Sequence, residues 1–116
     1  HAIADALLGA ANLGDIGKLF PSDDDSYAGA DSRLFLEHII TMISPSYRIV
    51  NIDSTIILQA PRIGELTFSM QSNIAGILAI DPFQVSVKAT TTDYLGFIGQ
   101  GDGIGALAIV QLEEKR

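Results

Sequence analysis

The sequence has no cysteine, few cations and no long apolar run, and each shortage excludes a class of protein. Without cysteine the chain has neither disulfide bonds nor thiolate metal ligands, which fits a reducing compartment. Seven Lys and Arg against 14 Asp and Glu give a net charge of −7, which argues against binding to a nucleic-acid backbone. The longest apolar stretch, residues 74–80, falls far short of the roughly 20 residues that cross a bilayer, so we predict no membrane partner.

What is present predicts one domain over residues 1–116, since 47% of the 116 residues are hydrophobic. A domain of this size buries only about two thirds of the surface of its unfolded chain. The mean hydropathy of +0.31 is high for so small a protein, and we expect the excess to form a subunit interface. The chain opens at His1 in a helical pattern, without initiator methionine or signal peptide, so we expect a truncated domain.

Hydrophobic periodicity predicts three helices and three strands. Apolar residues at 3, 7, 8 and 11 indicate a helix ending near Gly14, and a second helix runs from an Asp31 cap to Pro45. A third helix covers 66–78, and strands cover 47–59, 83–89 and 104–112. The order α, α, β, α, β, β predicts an α+β fold of two layers, a mixed sheet with helices on one face. The other face needs a partner, which again indicates an oligomer.

Four segments could form sites, and each has a structural alternative. Residues 14–17 suit a helix C-cap and turn. The acidic run at 22–25 offers oxygen ligands to a divalent cation but is more typical of a solvated loop. The Lys, three Thr and Asp at 88–93 suit phosphate oxygens as well as they suit a strand end. Residues 96–105 are rich in glycine but are not a dinucleotide fingerprint, and they favour tight turns at a subunit contact.

In this order, these segments resemble the 2-C-methyl-D-erythritol 2,4-cyclodiphosphate synthase family. The resemblance covers nearly the whole chain and implies that the domain lacks its N-terminal strands. It is carried by His-Ala at 1–2, Asp-Ala-Leu-Leu-Gly-Ala at 5–10, Leu-Gly-Asp-Ile-Gly-Lys-Leu-Phe-Pro at 13–21, Gly-Ala-Asp-Ser at 29–32, Asn-Ile-Asp-Ser-Thr-Ile-Ile at 51–57, Gln-Ala-Pro at 59–61, Val-Lys-Ala-Thr-Thr-Thr at 87–92 and Leu-Gly-Phe at 95–97.

The resemblance implies a chorismate mutase-like fold, assembled as a homotrimer with the sheets around the trimer axis and each active site between neighbouring subunits. It implies a metal-dependent phosphorus–oxygen lyase of the non-mevalonate isoprenoid pathway. The substrate is 4-diphosphocytidyl-2-C-methyl-D-erythritol 2-phosphate, whose 2-phosphate attacks the β-phosphorus of the diphosphate and expels CMP. The implied location is the bacterial cytoplasm, with a plastid-type organelle as the alternative.

The resemblance also assigns roles to residues. His1 is one zinc ligand, and the other two, an Asp-x-His pair, precede residue 1. Asp93 replaces a Glu that helps to bind a second divalent cation, Mg²⁺ or Mn²⁺, and Thr91 is the catalytic donor to the attacked phosphate. Residues 15–17 and 20–24 hold the methylerythritol part, 58–64 the cytosine and 88–92 the diphosphate. The predicted substrate-binding residues are Asp15, Ile16, Gly17, Phe20, Asp24, Leu58, Ala60, Pro61, Arg62, Ile63, Gly64, Lys88, Thr90, Thr91, Thr92, Phe97 and Gln100.

Three positions depart from the family pattern. Ser22 stands where Asp is usual, and Arg62 replaces a frequent Lys. Gln100 replaces an Arg that is associated with a prenyl diphosphate site on the trimer axis, so the resemblance does not carry that site over. The alternative function is a truncated, catalytically silent trimer that binds CMP. A further alternative is a ligand-binding trimer of the same architecture with other chemistry.

Overall fold

The computed structural model describes residues 1–23, 26, 29 and 31–116. Short 3₁₀ turns at Gly64–Leu66 and Pro82–Gln84 precede a long helix and a strand. The longer elements follow the predicted order. In chain order the elements are α1 (Ala2–Ala10), α2 (Ile16–Leu19), α3 (Ser32–Ile43), β1 (Tyr47–Ile57), α4 (Thr67–Leu78), β2 (Val85–Thr90), α5 (Gly96–Gly99) and β3 (Gly105–Glu114).

The helix ends follow from local side-chain chemistry. The Asp31 carboxylate accepts from the Arg33 N–H at 3.0 Å, which confirms the predicted cap of α3. The end of α1 comes earlier than predicted. Asn12, not Gly14, follows the last turn with a φ of 58°, and Leu13 N donates to Leu8 O at 2.8 Å. This is the Schellman ending, for which Asn is an accepted residue.

The sheet is mixed, as predicted, with the strand order β2-β1-β3. β1 and β2 run parallel, with Ile52 opposite Val85 and Ile57 opposite Thr90. β1 and β3 run antiparallel over nearly their whole lengths, with one irregularity between Ile49 and Asn51. The central strand therefore fixes the positions of both of its neighbours.

The helices cover one face of this sheet. α1 packs on β3 and α4 on β2, while α3 packs against both helices. The apolar core lies between the two layers and includes the fully buried Leu7, Leu8, Ile39, Ile43, Ile52, Leu78 and Val85. Two layers around one core confirm the predicted α+β arrangement.

The opposite face of the sheet carries exposed apolar side chains. Leu107 and Ile109 on β3 are 67% and 75% exposed. Beside them, Lys88 Nζ lies 3.0 Å from an Asp53 carboxylate oxygen. Isolated exposed leucines are ordinary, but adjacent apolar residues on one sheet face mark a surface that another molecule can cover.

Two local predictions were wrong. The strand predicted from Phe83 begins at Val85, because the Asp81 side chain accepts from Phe83 N in a capping box with Gln84. Phe83 consequently lies in a 3₁₀ turn and is 95% exposed. The predicted turn at 15–17 begins the short helix α2. The glycine-rich segment contains the short helix α5 and then turns, as predicted, at residues 100–101. Within the described part of the chain, no helix is both long enough and apolar enough to cross a membrane.

The packing predicts that Leu7→Ala destabilises the protein by about 2–5 kcal/mol, because Leu7 is fully buried and the substitution leaves a cavity. The matched control is Leu34→Ala on α3, since Leu34 is 54% exposed and should change the free energy of unfolding by less than about 1 kcal/mol. Urea denaturation at one fixed protein concentration measures both. Equal losses for the two variants would contradict this assignment of the core.

Candidate functional site

A cavity of about 640 Å³ lies where β1 and β2 end. Because the two strands are parallel, their carboxyl ends meet at the same edge of the sheet, where α/β proteins commonly bind ligands. Leu58 N donates to Thr90 O at 2.9 Å, which continues the pairing one residue beyond β1. The lining residues come from the segments that follow each strand: Leu58, Gln59, Pro61, Arg62, Ile63, Gly64, Glu65, Ala89, Thr90 and Thr91.

The loop after β2 is tightly turned. Asp93 and Tyr94 have φ values of 54° and 67°, a backbone conformation that costs non-glycine residues roughly 1–3 kcal/mol each. Asp93 N donates to Thr91 Oγ1 at 3.2 Å, and Thr92 Oγ1 donates to Leu95 O at 2.7 Å. Local hydroxyl contacts of this kind stabilise turns, so the threonines help to hold the loop they belong to.

Two more distant contacts support the same loop. Gln59 Oε1 accepts from Tyr94 N at 2.9 Å, which connects the segment after β1 with the segment after β2. Gly99 of α5 packs directly on the Tyr94 backbone. A Cβ at Gly99 would lie 2.6 Å from Tyr94 Cα, closer than van der Waals contact permits. The position therefore requires glycine.

A second cavity, of about 700 Å³, opens beside α2, and none of its described lining residues lines the first. Its described lining residues are His1, Ile16, Gly17, Phe20, Pro21, Ser22, Asp23 and Phe35. The Asp5 carboxylate accepts from Ile16 N at 2.9 Å and so holds α2 against α1. Asp15 caps α2 by accepting from Lys18 N at 2.9 Å. Asp15 is thus adjacent to the cavity but does not line it.

His1 is the one described residue of the second cavity with an imidazole. Its Nε2 lies 3.0 Å from Ser32 Oγ, and its ring centroid lies 5.4 Å from that of Phe35. Among the described residues, no three His, Asp or Glu side chains come together as a metal site, and Asp5 is already engaged by Ile16 N. The described residues therefore do not by themselves form a zinc site, and the zinc role of His1 stays a prediction.

The comparisons with known proteins match these segments. The model of the YgbB family matches residues 1–113. This chain belongs to the YgbB family. It is 49% identical to 2-C-methyl-D-erythritol 2,4-cyclodiphosphate synthase of Geobacter sulfurreducens, over 99% of this chain and 74% of that protein. It is 48% identical to the bifunctional enzyme IspD/IspF of Sulfurimonas denitrificans, over 97% of this chain and 30% of that protein.

Solved structures of YgbB relatives share the fold. The bifunctional IspDF of Campylobacter jejuni superposes with a TM-score of 0.95 at 40% identity, over 99% of this chain and 31% of that one. The CDP complex of IspF from Plasmodium falciparum superposes with a TM-score of 0.87 at 36% identity, over 100% of this chain and 70% of that one. The predicted family, and with it the predicted function at the level of the family, is confirmed.

The structure gathers most of the predicted site residues of this YgbB chain into the two cavities. Leu58, Pro61, Arg62, Ile63, Gly64, Thr90 and Thr91 line the first, and His1, Ile16, Gly17 and Phe20 line the second. Asp24 lies outside the described residues. The predicted residues that line neither cavity are Asp15, Ala60, Lys88, Thr92, Asp93, Phe97 and Gln100.

Lys88 is the clearest of these differences. Its ammonium lies 3.0 and 3.2 Å from the two carboxylate oxygens of Asp53, on the sheet face away from the helices. Its neighbours Ala89 and Thr90 both line the first cavity, whereas Lys88 does not. Three further residues line the first cavity but are absent from the predicted substrate-binding residues: Gln59, Glu65 and Ala89. Gln59 and Ala89 fall within the predicted ranges 58–64 and 88–92, whereas Glu65 lies one residue beyond the first range.

The close contact of Gly99 with the Tyr94 backbone can be tested by substitution. We predict that Gly99→Ala lowers the free energy of unfolding by about 1–3 kcal/mol, because the added Cβ overlaps the Tyr94 backbone. Gly9→Ala is the matched control, since nothing lies within 4 Å of its Cβ position in α1, and it should stabilise by up to about 1 kcal/mol. Urea denaturation measures both. A Gly99→Ala protein as stable as the parent would contradict the close approach.

Proposed function

We propose that the chain is the catalytic domain that converts 4-diphosphocytidyl-2-C-methyl-D-erythritol 2-phosphate to the 2,4-cyclodiphosphate and CMP. One observation carries the proposal: the segments assigned to cytosine and to diphosphate, 58–64 and 90–91, meet in a single cavity. Relatives of about half-identical sequence are named for this synthesis. A CDP complex of a structural relative adds support for a cytidine nucleotide as ligand.

Recognition of the base is proposed for the segment after β1. Leu58, Pro61 and Ile63 give the cavity apolar walls, and Gly64 leaves its backbone accessible. Backbone N–H and C=O groups can distinguish cytosine from uracil, since the exocyclic group is a donor in one base and an acceptor in the other. Arg62 is proposed to contact the base through its backbone. Arg in place of the family's frequent Lys therefore preserves this role.

The threonines after β2 are proposed to hold the diphosphate. The Thr91 hydroxyl oxygen accepts from Asp93 N, so its hydrogen remains free to donate to a phosphate oxygen. The 2-phosphate oxygen forms a bond to the β-phosphorus, and the bond from that phosphorus to the α-phosphate oxygen breaks, so CMP leaves with that oxygen. In phosphoryl transfer the protein mainly positions groups and stabilises charge. We assign to Thr91 the stabilisation of charge on the attacked phosphate.

Metal dependence belongs to the proposal as well. His1 is proposed as one zinc ligand, with the remaining ligands supplied from outside the described residues. Asp93, whose side chain is exposed in the loop, is proposed to contact a second divalent cation, Mg²⁺ or Mn²⁺. A bound metal would act as a Lewis acid on phosphate oxygens. The roles proposed above for the base-binding segment and for the threonines do not depend on a metal.

We further propose a chorismate mutase-like homotrimer, in which each active site combines the first cavity of one subunit with the second cavity of its neighbour. Among the described residues, none lines both cavities, yet one substrate has to meet both its base-binding and its methylerythritol-binding residues. A closed ring of three identical contacts satisfies this. The exposed Leu107 and Ile109 offer an apolar surface for the contact.

The proposal predicts selective binding of cytidine nucleotides. CDP should bind the purified protein roughly 10- to 100-fold more tightly than UDP, because uracil would leave buried polar groups of the site unpaired. Isothermal titration calorimetry with each nucleotide measures the difference. Equal affinities for CDP and UDP would refute the cytosine assignment. Tight CDP binding without CMP release from the substrate would favour the catalytically silent alternative.

A further inference from the structure

The loop 91–95 needs support from outside itself. Asp93 and Tyr94 both have positive φ values, and strain of this kind persists only when surrounding contacts hold it. Within the described residues, the hydrogen bonds of this loop run to residues 90–99, with one exception. The exception is the bond from Tyr94 N to Gln59 Oε1, 2.9 Å long, which spans 35 positions of sequence.

Gln59 also lines the first cavity, which is proposed to bind the nucleotide and is called the nucleotide cavity below. It lies between Leu58 and Pro61 in the segment proposed to bind cytosine, and its half-buried side chain lines the cavity. The backbone of Gln59 therefore belongs to the proposed base-binding segment, while its side-chain oxygen accepts a hydrogen bond from the loop that carries Thr91. Its Nε2 makes no hydrogen bond within the described residues.

We infer that Gln59 is a positioning residue that connects the proposed base-binding segment, 58–64, to the loop 91–95, which carries Thr91. This inference rests on the proposed function. Thr91 Oγ1 is oriented by Asp93 N, and Asp93 is held in place through its neighbour Tyr94, which Gln59 anchors. Gln59 thus acts on the phosphate through Thr91. Its loss should affect contact with the β-phosphate much more than contact with the base.

The chain offers variants that separate this role from others. Gln59→Met keeps the length of the side chain but removes the acceptor for Tyr94 N. Gln59→Glu keeps an acceptor oxygen. Gln71→Met is the matched control, because Gln71 also makes a side-chain hydrogen bond to backbone, from Nε2 to Pro82 O at 2.7 Å, but it does not line the nucleotide cavity.

The first measurement is calorimetric titration with CMP and with CDP, which differ by the β-phosphate. Gln59→Met should weaken CDP binding by roughly 10-fold, the effect of one lost hydrogen bond to a charged group, and CMP binding by less than about 3-fold. Gln71→Met should change neither. Equal weakening of CMP and CDP would overturn the inference, because it would place Gln59 in direct contact with the base or make its role merely structural.

The second measurement needs no nucleotide. Amide hydrogen exchange at Tyr94, followed by NMR in the free protein, should be about 10-fold or more faster in Gln59→Met and near the parent rate in Gln59→Glu and Gln71→Met. An unchanged Tyr94 rate in Gln59→Met would refute the anchoring of the loop. If the parent protein bound neither CMP nor CDP, the proposed function would fail, while the exchange rates would still decide whether Gln59 holds the loop.

Discussion

The parallel pairing of β1 with β2 is the constraint on which the rest of the site depends. Parallel strands require a crossover, here the connection through α4, and they end at the same edge of the sheet. The register from Ile52–Val85 to Ile57–Thr90 brings residues 58–64 beside residues 90–94. Without it, the segments proposed for base and diphosphate would lie apart. The core side chains Ile52, Leu78 and Val85 hold this register by packing α4 onto the two strands.

The loop that carries the Thr91 hydroxyl combines an unfavourable backbone conformation with contacts that hold it in place. The backbone at Asp93 and Tyr94 is unfavourable by itself, but Gly99 allows α5 to pack on it and Gln59 ties it to the adjacent segment. We propose that these contacts, with the bond from Asp93 N to Thr91 Oγ1, orient the Thr91 hydroxyl before a ligand binds. Preorganised donors stabilise developing charge best because they need no rearrangement during the reaction. The proposed chemistry and the observed strain are thus consistent with each other.

Local features were predictable from the sequence because their causes are local. The Asp31 cap, the periodicity of α3 and α4, and the mixed sheet were expected and found. Side-chain partners were harder, because they depend on strand register. Lys88 meets Asp53 through the β1–β2 register, and Gln59 meets Tyr94 across the same strand ends, and no periodicity fixes that register. Composition alone also did not decide whether residues 88–93 form a strand end or a phosphate-binding site. The family resemblance supplied the phosphate-binding role.

The central claim is that each active site combines two cavities from neighbouring subunits of the proposed trimer, and mixed oligomers test it directly. His1→Ala removes a group of the second cavity and Thr91→Val a group of the first, so each variant alone should release little CMP from the substrate. In equal co-expression, random assembly should restore about a quarter of the parent activity, because one site in four would receive an intact half from each chain. CMP release no greater than the mean of the two variants alone would contradict the claim.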